Sequence, residues 1–260
     1  MPRANRYFVP GFVWHITHRC HKQEFLLKFS RDRRTWTRWL FEARKRFGLC
    51  VLNYTVTSNH IHLLVKDTGR GEIPKSMQLN AGRTAQQYNQ RKERKGAFWE
   101  DRYHATAVAT DEHLIRCLIY IDLNMVRAGV VKHPCEWADS GYGEIQNPPK
   151  RYAVIDTSAL LALTDFHDLS HFQYKHSNRV NILLRSEGNR RDACWSESLA
   201  VGNREFVALM KKNLSSKACA REVVEHKDTF TLREPRASYV NYFDRKMAVL
   251  SPGNNRYSGK

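Results

Sequence analysis

Two histidines, His60 and His62, stand one residue apart in an apolar run that is typical of a β-strand. Side chains alternate across a strand, so both imidazoles project from the same face. Neutral imidazole is the commonest metal-binding side chain, and two of them on one strand form half of a divalent-metal site. An isolated pair of this kind is more often a solvated or interface feature. The metal interpretation therefore needs support from another part of the chain.

A later apolar segment offers that support. Tyr120 and Asn124 lie four residues apart, which places them on one face of a helix, one turn from each other. A tyrosine hydroxyl can act as a nucleophile, and an amide oxygen can bind a metal ion. The alternative is a core tyrosine whose hydroxyl is satisfied by a buried partner.

Hydrophobic periodicity and turn residues give the order of the elements that must position these side chains. We predict strands at 12–18, 49–57, 60–66 and 98–109, and helices at 30–47, 73–94 and 112–124. This βαββαβα order predicts a ferredoxin-like α+β unit, an antiparallel four-stranded sheet with helices on one face. Beyond residue 147 we expect a mostly helical or irregular extension, with helices at 156–163 and 196–214.

The charge of the chain indicates a polyanionic partner. Its 260 residues include 43 Lys and Arg against 26 Asp and Glu, a net charge of +17 that is spread along the sequence. Neutralising phosphates releases counterions and supplies most of the non-specific affinity for nucleic acids. The alternative is a soluble protein that is merely basic.

Six scattered cysteines, without a Cys-x-x-Cys pair, are typical of reduced thiols rather than of a disulfide framework. No apolar run approaches the roughly 20 residues that span a bilayer, and the N-terminus has no signal-peptide pattern. We therefore expect a cytoplasmic protein without a membrane partner.

Four motifs, taken together and in this order, resemble the single-tyrosine HUH transposases, the IS200-like transposases. HUH stands for histidine, hydrophobic residue, histidine. The motifs are Phe-Val-Trp-His-Ile-Thr at 12–17, Ser-Asn-His-Ile-His-Leu-Leu at 58–64, Gly-Ala-Phe-Trp-Glu-Asp-Arg-Tyr at 96–103, and Tyr-Ile-Asp-Leu-Asn-Met-Val-Arg-Ala-Gly at 120–129. The resemblance is closest to the REP-associated tyrosine transposase branch and covers roughly residues 7–142.

The resemblance implies a single-stranded DNA endonuclease and strand transferase that acts on hairpin-forming repeats. Tyr120 would be the nucleophile and would form a 5′-phosphotyrosine link, while His60, His62 and Asn124 would hold Mg²⁺ or Mn²⁺. Two positions depart from the family pattern: relatives frequently have proline at Met125, and many have a tyrosine near Thr84.

Other assignments stay open at this point. Tyr88 and Tyr103 are alternative nucleophiles, although neither has an amide one helical turn away. The chain could also be a non-catalytic nucleic-acid-binding regulator on the same fold, or a metal-dependent hydrolase that uses water instead of tyrosine.

Basic residues within and after the second predicted helix suggest a phosphate-binding surface, unless they form only a solvated face. They are Arg83, Arg91, Lys92, Arg94, Lys95 and Arg102. We divide the chain into a transposase and nuclease domain at 1–147, a DNA-contacting extension at 148–250 and a disordered tail at 251–260. We expect a monomer, as the resemblance to the REP-associated branch implies, and a dimer is the alternative.

Overall fold

The N-terminal half of the chain folds in the predicted βαββαβα order. The computed structural model describes residues 8–110, 112–186, 192–214, 221–226 and 229–233. The seven elements are β1 (Val13–Arg19), α1 (Ser30–Phe47), β2 (Cys50–Val56), β3 (His60–Lys66), α2 (Glu72–Arg91), β4 (His104–Val108) and α3 (Glu112–Asp122).

These four strands form an antiparallel sheet in the order β2-β3-β1-β4, which is the ferredoxin-like arrangement. The register pairs His62 with Thr17 of β1 and with Thr55 of β2, so the His62 side chain shares a sheet face with those two residues. Ile61, Leu63 and Val65 project from the other face and are fully buried. The strand therefore buries an apolar face on one side and presents the imidazoles on the other.

The helices occupy both faces of the sheet, which corrects the prediction that they share one face. α1 packs against α2, and its Trp36 ring lies 6.5 Å from the ring of Tyr54 on β2. Asn53, the neighbouring residue on β2, instead donates a hydrogen bond to the Leu118 carbonyl of α3 at 3.3 Å. Because adjacent strand residues point to opposite faces, α3 lies on the imidazole face.

Two boundaries differ from the predictions in ways that affect the site. The fourth strand begins at His104 rather than Phe98, because Trp99 leaves the sheet after one bridge to Cys20. The predicted helix to residue 124 is interrupted at Leu123, and a one-turn helix α4 (Asn124–Arg127) follows it. Tyr120 and Asn124 consequently belong to two successive helices.

The C-terminal part of the chain is not only helical or irregular, because it also adds three strands. Its elements are α5 (Gly141–Gln146), α6 (Thr157–Leu163), α7 (Leu169–Arg185), α8 (Cys194–Glu197), β5 (Ala200–Gly202), α9 (Arg204–Leu214), β6 (Glu222–His226) and β7 (Thr229–Arg233). β5 pairs parallel with β4, and the seven-stranded sheet has the order β2-β3-β1-β4-β5-β7-β6. The predicted helix at 196–214 is thus divided between α8, β5 and α9.

Gly202, at the end of β5, explains how α9 can follow the strand so closely. A Cβ atom at this position would lie 2.6 Å from the Phe206 ring and 2.7 Å from the Ala109 Cβ. Any side chain would push α9 or the end of β4 away, so the sequence places glycine where the two elements meet.

Within the described ranges, no helix is long and apolar enough to cross a membrane. The tail at 251–260, predicted to be disordered, lies outside the described residues.

Candidate active site

A cleft of about 320 Å³ opens where the ends of β1 and β3 meet α3 and α4. It brings together the four residues predicted to carry the chemistry, His60, His62, Tyr120 and Asn124. Further lining residues are Thr17, Arg19, Gln23, Asn59, Arg127, Ala128 and Ser196. One polar cavity is thus formed by strand and helix segments that lie far apart in the sequence. His62 and Asn124, for example, are separated by about 60 residues.

His62 lies at the closed side of the cleft and is 3% exposed. Its Nε2 atom is 2.8 Å from Nδ2 of Asn124, and its Nδ1 atom is 2.9 Å from Nε2 of His15. Burial holds the pKa of His62 well below 6.5, and the neighbouring His60 and His15 lower it further. The ring is therefore neutral at physiological pH, which is the form that binds metal ions.

His60 lies at the open side of the cleft, with its ring centre 5.0 Å from that of His62. Its Nδ1–H donates a hydrogen bond to Oδ1 of Asn59 at 2.7 Å, and Oγ1 of Thr57 lies 3.0 Å from the same nitrogen. Because Nδ1 is engaged, Nε2 is the ring nitrogen that can face a ligand in the cleft.

Tyr120 lies beside His62. Its ring centre lies 5.9 Å from that of His62, and its side chain is 8% exposed. The Arg127 guanidinium lies 4.2 Å above the Tyr120 ring and donates a hydrogen bond to the Tyr120 carbonyl oxygen. Arg127 lies on α4, seven residues after Tyr120, and thus about two helical turns further along the chain.

The donor set fits a divalent cation that a substrate oxygen helps to coordinate. His60 and His62 offer imidazole nitrogens, and a half-turn of the Asn124 amide presents its oxygen in place of its nitrogen. Among the described residues no group of three or more His, Cys, Asp and Glu side chains could hold a metal ion. Two histidines and one amide leave coordination positions open, as a catalytic rather than a structural metal site requires.

Two cations of the cleft were not predicted as site residues. Arg19 ends β1 beside His60, and Arg127 belongs to α4. Burial lowers the pKa of Arg127, but a guanidinium stays protonated at neutral pH. The sequence signal for Arg127 was its position in the motif that also contains Tyr120 and Asn124.

None of the six predicted DNA-binding residues lines this cleft. Arg91 forms an ion pair with Asp32, and Arg94 lies 3.7 Å from Glu24, so both charges are partly neutralised. Arg83 and Lys92 lie over the aromatic rings of Trp39 and Phe29. Two more are exposed after α2, namely Lys95 and Arg102.

The two alternative nucleophiles also lie outside the cleft. Tyr88, on α2, packs edge-on against Phe98 with 5.0 Å between the ring centres. The ring centre of Tyr103 lies 6.2 Å from that of His18. Thr84, where many relatives have a tyrosine, is buried on α2 and donates a hydrogen bond to Asn80.

Two of the solved structures that are similar to this chain are distant neighbours. One, described as a REP-associated tyrosine transposase bound to a REP hairpin, is 18% identical, with 55% of this chain and 84% of the neighbour covered at a TM-score of 0.46. The other is from Deinococcus radiodurans and is named only as a transposase candidate. It is 16% identical, with 40% of this chain and 83% of that protein covered at a TM-score of 0.32. No curated protein matches the chain.

A family model matches the N-terminal region. The model, described as "Transposase IS200 like", matches residues 9–124. The match begins before β1 and ends at Asn124, so it includes both histidines and the tyrosine of the cleft. Over residues 9–124, the chain is thus similar to the IS200-like transposases.

Proposed function

We propose that this protein cuts and rejoins single-stranded DNA through a covalent bond to Tyr120. One observation supports this most directly: a single polar cleft contains a tyrosine hydroxyl, two neighbouring imidazoles, an amide and two arginines. Phosphoryl transfer needs a positioned nucleophile and positive charge around the phosphate, and these groups can supply both.

In the proposed reaction the Tyr120 hydroxyl oxygen attacks the phosphorus of a DNA phosphodiester. A bond forms between this oxygen and phosphorus, and the bond from phosphorus to the 3′-oxygen breaks. The phenolic proton passes to solvent, and the departing 3′-oxygen takes up a proton. The products are a 5′-phosphotyrosine and a free 3′-hydroxyl, and attack by such a hydroxyl reverses the step without an external energy source.

We propose that His60, His62 and Asn124 hold Mg²⁺ or Mn²⁺. When bound, the ion would withdraw charge from a phosphate oxygen and make the phosphorus more electrophilic. The two imidazoles are already arranged for metal binding. Burial keeps His62 neutral, and hydrogen bonds at Nδ1 of both rings orient Nε2 for a ligand. A tyrosine hydroxyl, with an ordinary pKa of about 10, is a poor nucleophile at neutral pH and needs such help.

Arg19 and Arg127 are the residues we propose to bind the reacting phosphate. Both line the cleft and present positive charge to it. The six basic residues after and within α2 would bind the DNA backbone further from the reaction. A hairpin-forming repeat as substrate follows from the resemblance to the REP-associated branch.

We propose that the chain acts as a monomer. Tyr120, His60 and His62 of the same chain line one cleft, so no exchange of helices between subunits is needed. We keep the division at residue 147 between the transposase domain and the extension, and we propose that the extension also contacts DNA. Ser196, in α8, already lines the cleft.

One assay separates the proposed reaction from its alternatives. The protein is incubated with an end-labelled single-stranded hairpin and Mn²⁺, and the products are resolved on a denaturing gel. We expect a shifted band, the covalent adduct, for the unaltered protein and none for Tyr120→Phe. Tyr88→Phe, which removes a hydroxyl outside the cleft, serves as the matched control and should retain the adduct.

Two results would contradict the proposal. Cleavage without an adduct would indicate a hydrolase that uses water, and binding without cleavage in any metal would indicate a non-catalytic regulator.

A further inference from the structure

A third buried histidine connects the cleft to the C-terminal part of the chain. His15, on β1, is fully buried, and the proposed chemistry does not use it. Its Nδ1 atom lies 2.8 Å from the Trp195 carbonyl oxygen of α8, and its Nε2 atom lies 2.9 Å from Nδ1 of His62. The His15 and His62 rings are inclined by only 8°, so the two imidazoles are nearly parallel.

The chemistry of the partners fixes the direction of these hydrogen bonds. A carbonyl oxygen only accepts, so Nδ1 of His15 must carry a proton. Nδ2 of Asn124 donates to Nε2 of His62 at 2.8 Å, so this Nε2 has no proton and the one proton of the His62 ring is on Nδ1. Nε2 of His15 therefore accepts, and Nδ1–H of His62 donates.

This direction determines which nitrogen of His62 is available. A neutral imidazole has one proton, and in His62 that proton is on Nδ1. The lone pair of Nε2 then points toward the cleft.

The Trp195 carbonyl is itself held in place. Oγ1 of Thr106, a fully buried residue on β4, donates to the same carbonyl at 3.2 Å and to the Ser198 carbonyl at 2.6 Å. Trp195 is 2% exposed, so the carbonyl that receives the His15 proton belongs to a packed segment.

We propose that His15 is a positioning residue that holds His62 in the Nδ1–H form, and that the Trp195 carbonyl makes the C-terminal segment part of the metal site. The inference rests on the proposed function, in which His62 binds the metal. Partners of this kind raise ligand basicity and fix ring orientation, and their loss typically costs about 10–100-fold in metal affinity.

The test measures Mn²⁺ affinity of the full chain by electron paramagnetic resonance, without DNA and without turnover. His15→Leu removes the acceptor for His62 and should weaken Mn²⁺ binding about 10–100-fold. In His15→Gln the amide oxygen can accept from His62 while the amide nitrogen donates to Trp195, so affinity should return to within a few-fold of the unaltered protein.

Two further variants make the result specific. His62→Ala removes the ligand itself and defines the affinity of a damaged site. Thr106→Val removes one of the two donors to the Trp195 carbonyl and leaves both His15 and His62 in place, so it should weaken Mn²⁺ binding less than His15→Leu does.

Failure of this inference and failure of the proposed function give different sets of Mn²⁺ affinities. If His62→Ala weakens Mn²⁺ binding but His15→Leu does not, the positioning role of His15 is wrong and the metal site stands. If His15→Gln loses as much affinity as His15→Leu, the hydrogen bond is not the cause, and the inference is also overturned. If the unaltered protein and His62→Ala bind Mn²⁺ alike, the metal site itself is wrong.

Discussion

Tyr120 and Arg127 form the closest pairing of a nucleophile candidate with a cation in the cleft. The guanidinium lies over the ring and is anchored by the Tyr120 carbonyl, so its position does not depend on bound DNA. A fixed positive charge beside the attacked phosphate stabilises the charge that develops in the transition state and needs no reorganisation at the moment of reaction.

Replacing Arg127 should therefore slow cleavage more than it weakens DNA binding. We expect Arg127→Gln to reduce the single-turnover cleavage rate by about 100-fold, a modest value for an arginine that acts on a transferring phosphoryl group. Arg127→Lys keeps the charge but loses the planar stack on Tyr120, so its rate should lie between the two. Single-turnover kinetics at saturating protein measures this. Equal rates for all three proteins would contradict the assignment.

At the residue scale, the sequence contained enough information to predict the shared cleft of His60, His62, Tyr120 and Asn124. The strand period places the two histidines on one face of a strand, the helical spacing places Tyr120 and Asn124 on one face of a helix, and the family resemblance implies that the two faces meet. The role of His15 could not be predicted, because its carbonyl partner is 180 residues away. Hydrophobic periodicity within a strand gives no information about a contact with a distant backbone carbonyl.

The connection between α3 and α7 determines how firmly the C-terminal part holds the helix that contains Tyr120. Asp122, fully buried, accepts hydrogen bonds from Asn53 of β2 and from Nε2 of His176 of α7, each at 2.9 Å. Near the other end of α3, Glu112 forms an ion pair with Arg179 at 2.8 Å, but both side chains are about half exposed. The same two helices thus share one buried and one solvated contact.

This difference predicts unequal losses of stability. Asp122→Ala leaves two buried polar partners unsatisfied and should lower the free energy of unfolding by about 3 kcal/mol. Glu112→Ala removes only the exposed pair and should cost less than about 1 kcal/mol. Urea unfolding followed by circular dichroism compares them. Losses of similar size would show that α7 is not fixed to α3 through Asp122.

At the element scale, the order of the first seven elements could be predicted from the spacing of their apolar residues and from residues that end an element. Gly48, after α1, is such a residue. The strands after residue 147 could not. β5 has only three residues, too few to show an alternating pattern, and it forms a strand because β4 and β7 offer it partners. The side of the sheet taken by α3 is likewise set by tertiary contacts to Asn53 and Thr55.

The whole molecule is strongly basic, with a net charge of +17, while its cleft contains two arginines. Counterion release from DNA should therefore dominate non-specific affinity and make it salt-dependent. Lys92 and Lys95 are exposed residues beyond α2. Replacing them tests whether the basic surface away from the cleft contributes to DNA affinity.

Affinity for a single-stranded oligonucleotide should fall roughly 100-fold between 50 and 200 mM salt if about five phosphates are neutralised. Replacing Lys92 and Lys95 together by glutamine should reduce the slope of log affinity against log salt by about 1.4, or about 0.7 for each phosphate that is no longer neutralised. Lys150→Gln with Arg151→Gln, two exposed charges in another loop, is the matched control. Fluorescence anisotropy gives both slopes. An unchanged slope for the lysine pair would remove that surface from the DNA path.

The central claim, that Tyr120 becomes covalently attached to DNA, is tested most directly by locating the attachment. The protein is reacted with a single-stranded hairpin and Mn²⁺, digested with nuclease and trypsin, and analysed by tandem mass spectrometry. We predict a 5′-phosphonucleotide remnant on Tyr120, within the tryptic peptide 117–127. A remnant on Tyr88 or Tyr103, in peptides 84–91 and 103–116, or strand cleavage with no modified tyrosine, would contradict the account.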